Sequence, residues 1–165
     1  MPSDLTMTII IVHDERFDPK EHDMPMIDIT ATAGTFADPH SLAQRAAETV
    51  MRLEQVPAIP MFRSNTAAFV HELPAGAISD VNGSGDHVRI QVLTNAGALD
   101  RAKQLAVTAE LTALVAEAAG DPSLAERTWV LLTEAVEGGW GLHGVAHTNE
   151  EIVAAARAEI ATLQG

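Results

Sequence analysis

Cysteine is absent from this 165-residue chain, which excludes disulfides, thiolate metal sites and a cysteine nucleophile. Aromatic residues make up only 4% of it against 47% hydrophobic residues, so a core must be built from Ala, Val, Ile and Leu. Cationic residues are few: ten Lys and Arg against 23 Asp and Glu leave a net charge of −13. That balance argues against a nucleic-acid backbone or an anionic membrane as partner. It also requires that any anionic substrate be held by local cations against an unfavourable field. No apolar run approaches the ~20 residues that span a bilayer. The stretch "TIIIV" is too short for a signal-peptide core, lacks a basic start and is followed by charges. The expectation is a soluble, cytoplasmic protein, long enough to bury one real core.

What is present is a repeat. "IDITATAGTF" (residues 27–36) and "IQVLTNAGAL" (residues 90–99) share an apolar-alternating strand, then Ala-Gly, at an offset of 63. "TAAFVHE" (66–72) matches "TWVLLTE" (128–134) at an offset of 62. A helix separates the members of each pair. In the first half Asp38 is a plausible N-cap, Pro39 takes the first helical position, and Leu42, Ala46, Val50 and Leu53 form the apolar face. In the second half a helix from about Leu99 carries Ala102, Leu105, Ala109, Thr112 and Ala116 on one face, and stops at Gly120 before Pro122. Each half reads strand, helix, strand, and a right-handed crossover makes its two strands parallel.

Two such units predict an α+β fold: a four-stranded mixed sheet with both helices on one face. The units span residues 24–74 and 86–135, joined by the exposed loop "LPAGAISDVNGSGDH". A hairpin over 136–147 comes next. A helix over 148–163 then opens with a Thr148–Glu151 capping box and carries Val153, Ala156, Ile160 and Leu163 as its apolar stripe. Residues 1–23 stand outside the repeat, with "TMTIIIVHD" as an extra edge strand and "ERFDPKEHD" as a charged linker. The sheet face without helices needs a cover, and subunit assembly is one answer.

The tandem βαβ pattern, the proline at the head of the first strand in "EHDMPMIDIT", and a glycine nine residues later resemble the tautomerase superfamily. This is the group of 4-oxalocrotonate tautomerase, cis-3-chloroacrylic acid dehalogenase, malonate semialdehyde decarboxylase and macrophage migration inhibitory factor. "WVLLTEAVEGGWGLHG" (129–144) is similar to the second strand and aromatic-glycine hairpin of the 4-oxalocrotonate tautomerase type. The resemblance covers roughly residues 24–148. It implies loss of an initiator methionine ahead of Pro25, a catalytic proline amine, a homotrimer, a small-molecule substrate and no cofactor. It also implies Trp140 as the hairpin's pocket aromatic. The repeat equivalent of Pro25 is Val88, so only one unit could carry an amine. The two arginines of the family are not at their places, which hold Thr35 and Ala98, and Ala67 and Trp129.

A free α-amino group titrates at about 7.7–8.0, near enough to neutral for efficient proton exchange. The chemistry expected is therefore cofactor-free proton transfer on an enolisable carbonyl or 2-oxo acid. Pro25 is the base, Arg63 and Arg89 hold a carboxylate, Trp140 is a pocket wall, and His71 and Arg127 are further candidates. His143 and His147 have metal-like spacing, but the glycine before them and the Thr148 cap after them keep them off one helix, so no metal is expected. The rival expectation is a non-catalytic trimeric binding or scaffold protein, in which residues before Pro25 block its nitrogen. In a chain that keeps Met24, that nitrogen is a tertiary amide.

Overall fold

The structure is a computed structural model and describes residues 24–165. The edge strand and linker expected before Met24 lie outside the described residues. Two strand–helix–strand units are present. The first is β1 (Met26–Thr32), α1 (Pro39–Glu54), the short α2 (Pro60–Asn65) and β2 (Ala67–Leu73). The second is β3 (Val88–Thr94), α3 (Arg101–Ala119), a 3-10 turn (Pro122–Arg127) and β4 (Thr128–Glu134). A two-stranded hairpin of β5 (Trp140–Leu142) and β6 (Val145–His147) leads to α4 (Asn149–Gln164).

The main sheet runs β2-β1-β3-β4, parallel within each unit and antiparallel where β1 meets β3. That central antiparallel pairing sets the two units head to tail. Alternate residues Ile27, Ile29 and Ala31 of β1 and Val88, Ile90 and Val92 of β3 are buried under both long helices. From α1 the buried side chains are Leu42, Ala46 and Val50, with Leu53 partly buried against them, as its periodicity predicts. Each fully buried Val, Leu or Ile of this set contributes about 1.5–3 kcal/mol by removal from water.

The repeated motif has a structural cause. Gly34 and Gly97 come after β1 and β3 with φ of 86° and 79°, the left-handed region that glycine enters without a Cβ penalty. In each turn the glycine N–H donates to the repeated glutamate at the end of the paired strand. Gly34 donates to Glu72 at 3.1 Å, and Gly97 to Glu134 at 3.0 Å. The same pair of residue types thus closes both strand ends.

Two helix faces differ from expectation. On α3 the buried residues are Val107, Leu111, Leu114, Val115 and Ala116, while Leu105 is 55% exposed. The helix is rich in Ala and Leu all round, so several stripes compete, and the one with the bulkier side chains faces the sheet. It begins at Arg101, with Asp100 accepting from Lys103 N–H at 2.9 Å. On α4 the Thr148–Glu151 capping box is present, but Ile152 joins Val153 and Ala156 in the core and Leu163 is exposed. Among the described residues, no helix is long and apolar enough to cross a membrane.

Candidate functional site

Pro25 lies at the head of β1, buried, with its carbonyl accepting from Ala67 N–H at 3.3 Å. That bond ties the proline to the parallel neighbour β2. The residue before it is the decisive one. Met24 is 0% exposed and belongs to a second hydrophobic cluster with Val56, Ile59, Phe62, Trp140, Ile152 and Ala156. Covalent connection places the start of the Met24 side chain directly beside the proline nitrogen. The hairpin supplies Trp140 and α4 supplies Ile152 and Ala156, so two segments after the repeat close over this end of the sheet.

The closure is well anchored. Glu159 of α4 accepts from the Met61 N–H at 3.1 Å, clamping α4 to α2. Asn95, just after β3, donates to the Asn149 side chain at 2.9 Å. A cavity of about 200 Å³ flanks the cluster, lined by Met61, Leu142, His147 and Ile152 among others.

Of the residues expected to form one site, the structure brings Trp140 into one cluster with Met24, the residue before Pro25. Arg63 sits on α2, at the same end of the sheet, but its side chain lines a separate groove of about 420 Å³ with His40, Glu48, Met51 and Thr66. Arg89 is at the other end. Register pairs Met26 with Leu93 and Thr30 with Arg89, so Arg89 stands five residues along β1 from Pro25, roughly 16 Å away. Equivalence in the repeat suggested nearness, whereas antiparallel pairing of the two units makes equivalent positions opposite ends. Arg127 is occupied: it pairs with Asp86 at 3.0 Å and Asp121 at 2.9 Å. The Ser123 hydroxyl, the larger effect, and this Arg127 pairing hold the Asp121 carboxyl below its usual range. His71 pairs through Nε2 with Asp28 on the helix-free face. His143 stands in the hairpin turn itself with φ 52°, and His147 lies on β6 opposite Trp140. No group of three metal-ligating side chains occurs among the described residues.

Sequence reasoning missed Ile152 and the Met24 side chain as parts of the proline site. It also missed His87, the repeat equivalent of Met24, whose ring stacks on Trp129 at 4.5 Å and 6°. The repeat offset itself was the signal that could have found it.

Several solved structures share this architecture. Pt0534 inactivated by 2-oxo-3-pentynoate superposes with a TM-score of 0.62 at 20% identity, covering 76% of this chain and 97% of that one. A wild-type fused 4-OT, a symmetric trimer, gives 0.63 at 14% identity over 76% and 97%. Macrophage migration inhibitory factor from Oncomelania hupensis gives 0.61 at 17% identity over 86% and 99%. The fold is that of the tautomerase superfamily. No family model and no curated protein matches the sequence, so the likeness rests on tertiary structure. In this tautomerase-fold chain the head of the first strand is occupied by a buried methionine rather than by open space.

Proposed function

We propose that this chain is a cofactor-independent tautomerase-type isomerase whose base is the Pro25 amine, generated when Met24 is removed. The observation that carries this is the seating of Met24. Its side chain takes up a fully buried, apolar volume in one cluster with Phe62, Trp140 and Ile152, one residue before the proline nitrogen. Without Met24 that volume becomes a pocket with a secondary amine at its floor. Burial disfavours the charged form, so the amine would titrate below an ordinary N-terminus and stand ready to accept a proton. An apolar pocket suits an aryl-bearing enol or 2-oxo acid better than a dicarboxylate. Arg63, whose side chain lines the neighbouring groove at the same end of the sheet, is the proposed carboxylate holder and would have to swing toward this pocket to act.

The assembly proposed is a homotrimer. Phe69, at 51% exposure, and Leu131 stand on the helix-free face of the sheet, an apolar surface that a second copy would cover. The fused 4-OT with this fold is a trimer.

A second reading is favoured by the same methionine. In a chain that retains it, Pro25 is an amide without a basic lone pair, the pocket is filled, and the fold is a binding or scaffold module. Two chains decide between them, one beginning at Met1 and one initiated at Met24, each assayed for phenylenolpyruvate ketonisation and for covalent labelling by 2-oxo-3-pentynoate. Addition of the amine across the triple bond forms one N–C bond and adds the mass of one reagent. The expected outcome is turnover and a Pro25 adduct only in the shorter chain, both abolished by Pro25→Ala. Equal turnover in both chains would sink the amine mechanism, and none in either would leave the binding module.

A further inference from the structure

The head-to-tail arrangement gives the sheet two equivalent ends, and among the described residues only one is closed. By the repeat offset Met24, Pro25 and Met26 correspond to His87, Val88 and Arg89, and Ala67 corresponds to Trp129. By register, Leu93 opposite Met26 corresponds to Thr30 opposite Arg89. On the helix-free face the first end therefore offers Met26, Leu93 and Ala67. The second offers Arg89, Thr30 and Trp129. The hairpin and α4 that seal the first end come after β4. The chain after β2 is instead the loop 74–87, and it leaves a cavity of about 260 Å³.

We propose that this cavity is a binding site for a small planar carboxylate, distinct from the proline site. Its wall is the parallel His87–Trp129 ring pair, against which a flat unsaturated body packs. Its cation is Arg89, which has no acidic partner among the described residues and can take a carboxylate in bidentate fashion. Hydroxyls of Thr30 and Ser79 line the same space, with Leu73 and Ile78 supplying apolar cover. The His87 Nδ1 is buried and makes no hydrogen bond, so this ring meets a ligand through its face and not through that nitrogen.

The nearby acids do not cancel the cation. One oxygen of Asp80 accepts from the Asn82 and Ser84 N–H groups at 2.8 and 2.9 Å, and Asp86 is paired with Arg127. Each of these carboxylates stays 3.9 Å from a His87 nitrogen. The volume lies below the roughly 300–1,000 Å³ of drug-sized pockets, which restricts the ligand to a body of about one ring and a short acid arm. The site needs no free amine, so it stands whether or not Pro25 is catalytic.

The test is titration of the full-length protein with trans-cinnamate, which is planar and cannot enolise, monitored by NMR of the two indole N–H signals. Saturable binding that shifts the Trp129 signal and leaves Trp140 unmoved is expected. Cinnamyl alcohol, equal in shape but neutral, should bind roughly tenfold or more weakly, as should cinnamate to Arg89→Gln. Trp129→Leu, which keeps apolar bulk but removes the stacking face, should also weaken binding, and thermal melts would verify that both variants fold. Lack of saturation at millimolar cinnamate, a shift centred on Trp140, or unchanged affinity in Arg89→Gln would each overturn the proposal.

Discussion

The two ends of the central sheet share one design and have opposite characters. At the Pro25 end, Met24, Trp140 and Ile152 pack into a cation-free apolar cluster under an added helix. At the Val88 end, Arg89, His87 and Trp129 line an open cavity above a surface ion-pair network. The strand–helix–strand pattern repeats in both places, down to the glycine–glutamate bond at each strand end. A duplicated fold therefore does not duplicate its site. What decides the site is which segment comes next in the chain: a hairpin and helix after β4, a loop after β2.

The sharpest way to break this contrast is to truncate the corresponding tryptophans. Trp140→Ala should cost about 3–5 kcal/mol, because it leaves a cavity in a sealed cluster. That is a fall of about 6–20 °C in Tm by calorimetry. Trp129→Ala should cost only about 0.5–1.5 kcal/mol, the value of an exposed stacked pair. Equal losses would mean that Trp129 is as enclosed as Trp140, and the asymmetry would fail.

A smaller effect tests the symmetry that remains. Gly34→Ala and Gly97→Ala should each lose about 1–2 kcal/mol from placing a Cβ in left-handed backbone. No atom lies within 4 Å of either added Cβ, so the costs should match. Unequal midpoints in urea would show that the two turns are not equivalent.

The smallest effect is acid sensitivity at the open end alone. Backbone hydrogen bonding, that from Ser84 first, holds the Asp80 carboxyl below its ordinary value of 3.8. A depressed folded value means that this contribution is present above 3.8 and is lost as pH falls through the folded value. Amide exchange of Asn82 and Ser84 should therefore accelerate, relative to the intrinsic rate, as pH falls below 3.8. The residues around Met24 should not respond. Loosening at both ends together would point to global unfolding.

The sequence was informative wherever the cause was local. Asp38 before Pro39, the Thr148–Glu151 box and the glycine after each inner strand all appear as caps or turns where the residues put them. Those devices act across three or four residues, and their chemistry is visible in a linear string. Apolar periodicity succeeded on α1, whose polar residues mark one clear face. It failed on α3, where Ala and Leu surround the helix and only the sheet selects Val107, Leu111 and Val115.

By itself the sequence determined two βαβ units, their turns and their helix caps, because each rests on near-neighbour hydrogen bonds and on the period of one element. Tertiary structure alone decided where the units' corresponding residues lie. Antiparallel pairing of β1 with β3 sends Arg89 to the end opposite Pro25, a consequence of register between strands offset by 63 residues in the repeat. Packing of the hairpin and α4 then buries Met24 against the proline. Neither outcome is encoded at the residues it affects, since both depend on which distant apolar surface is available to be covered.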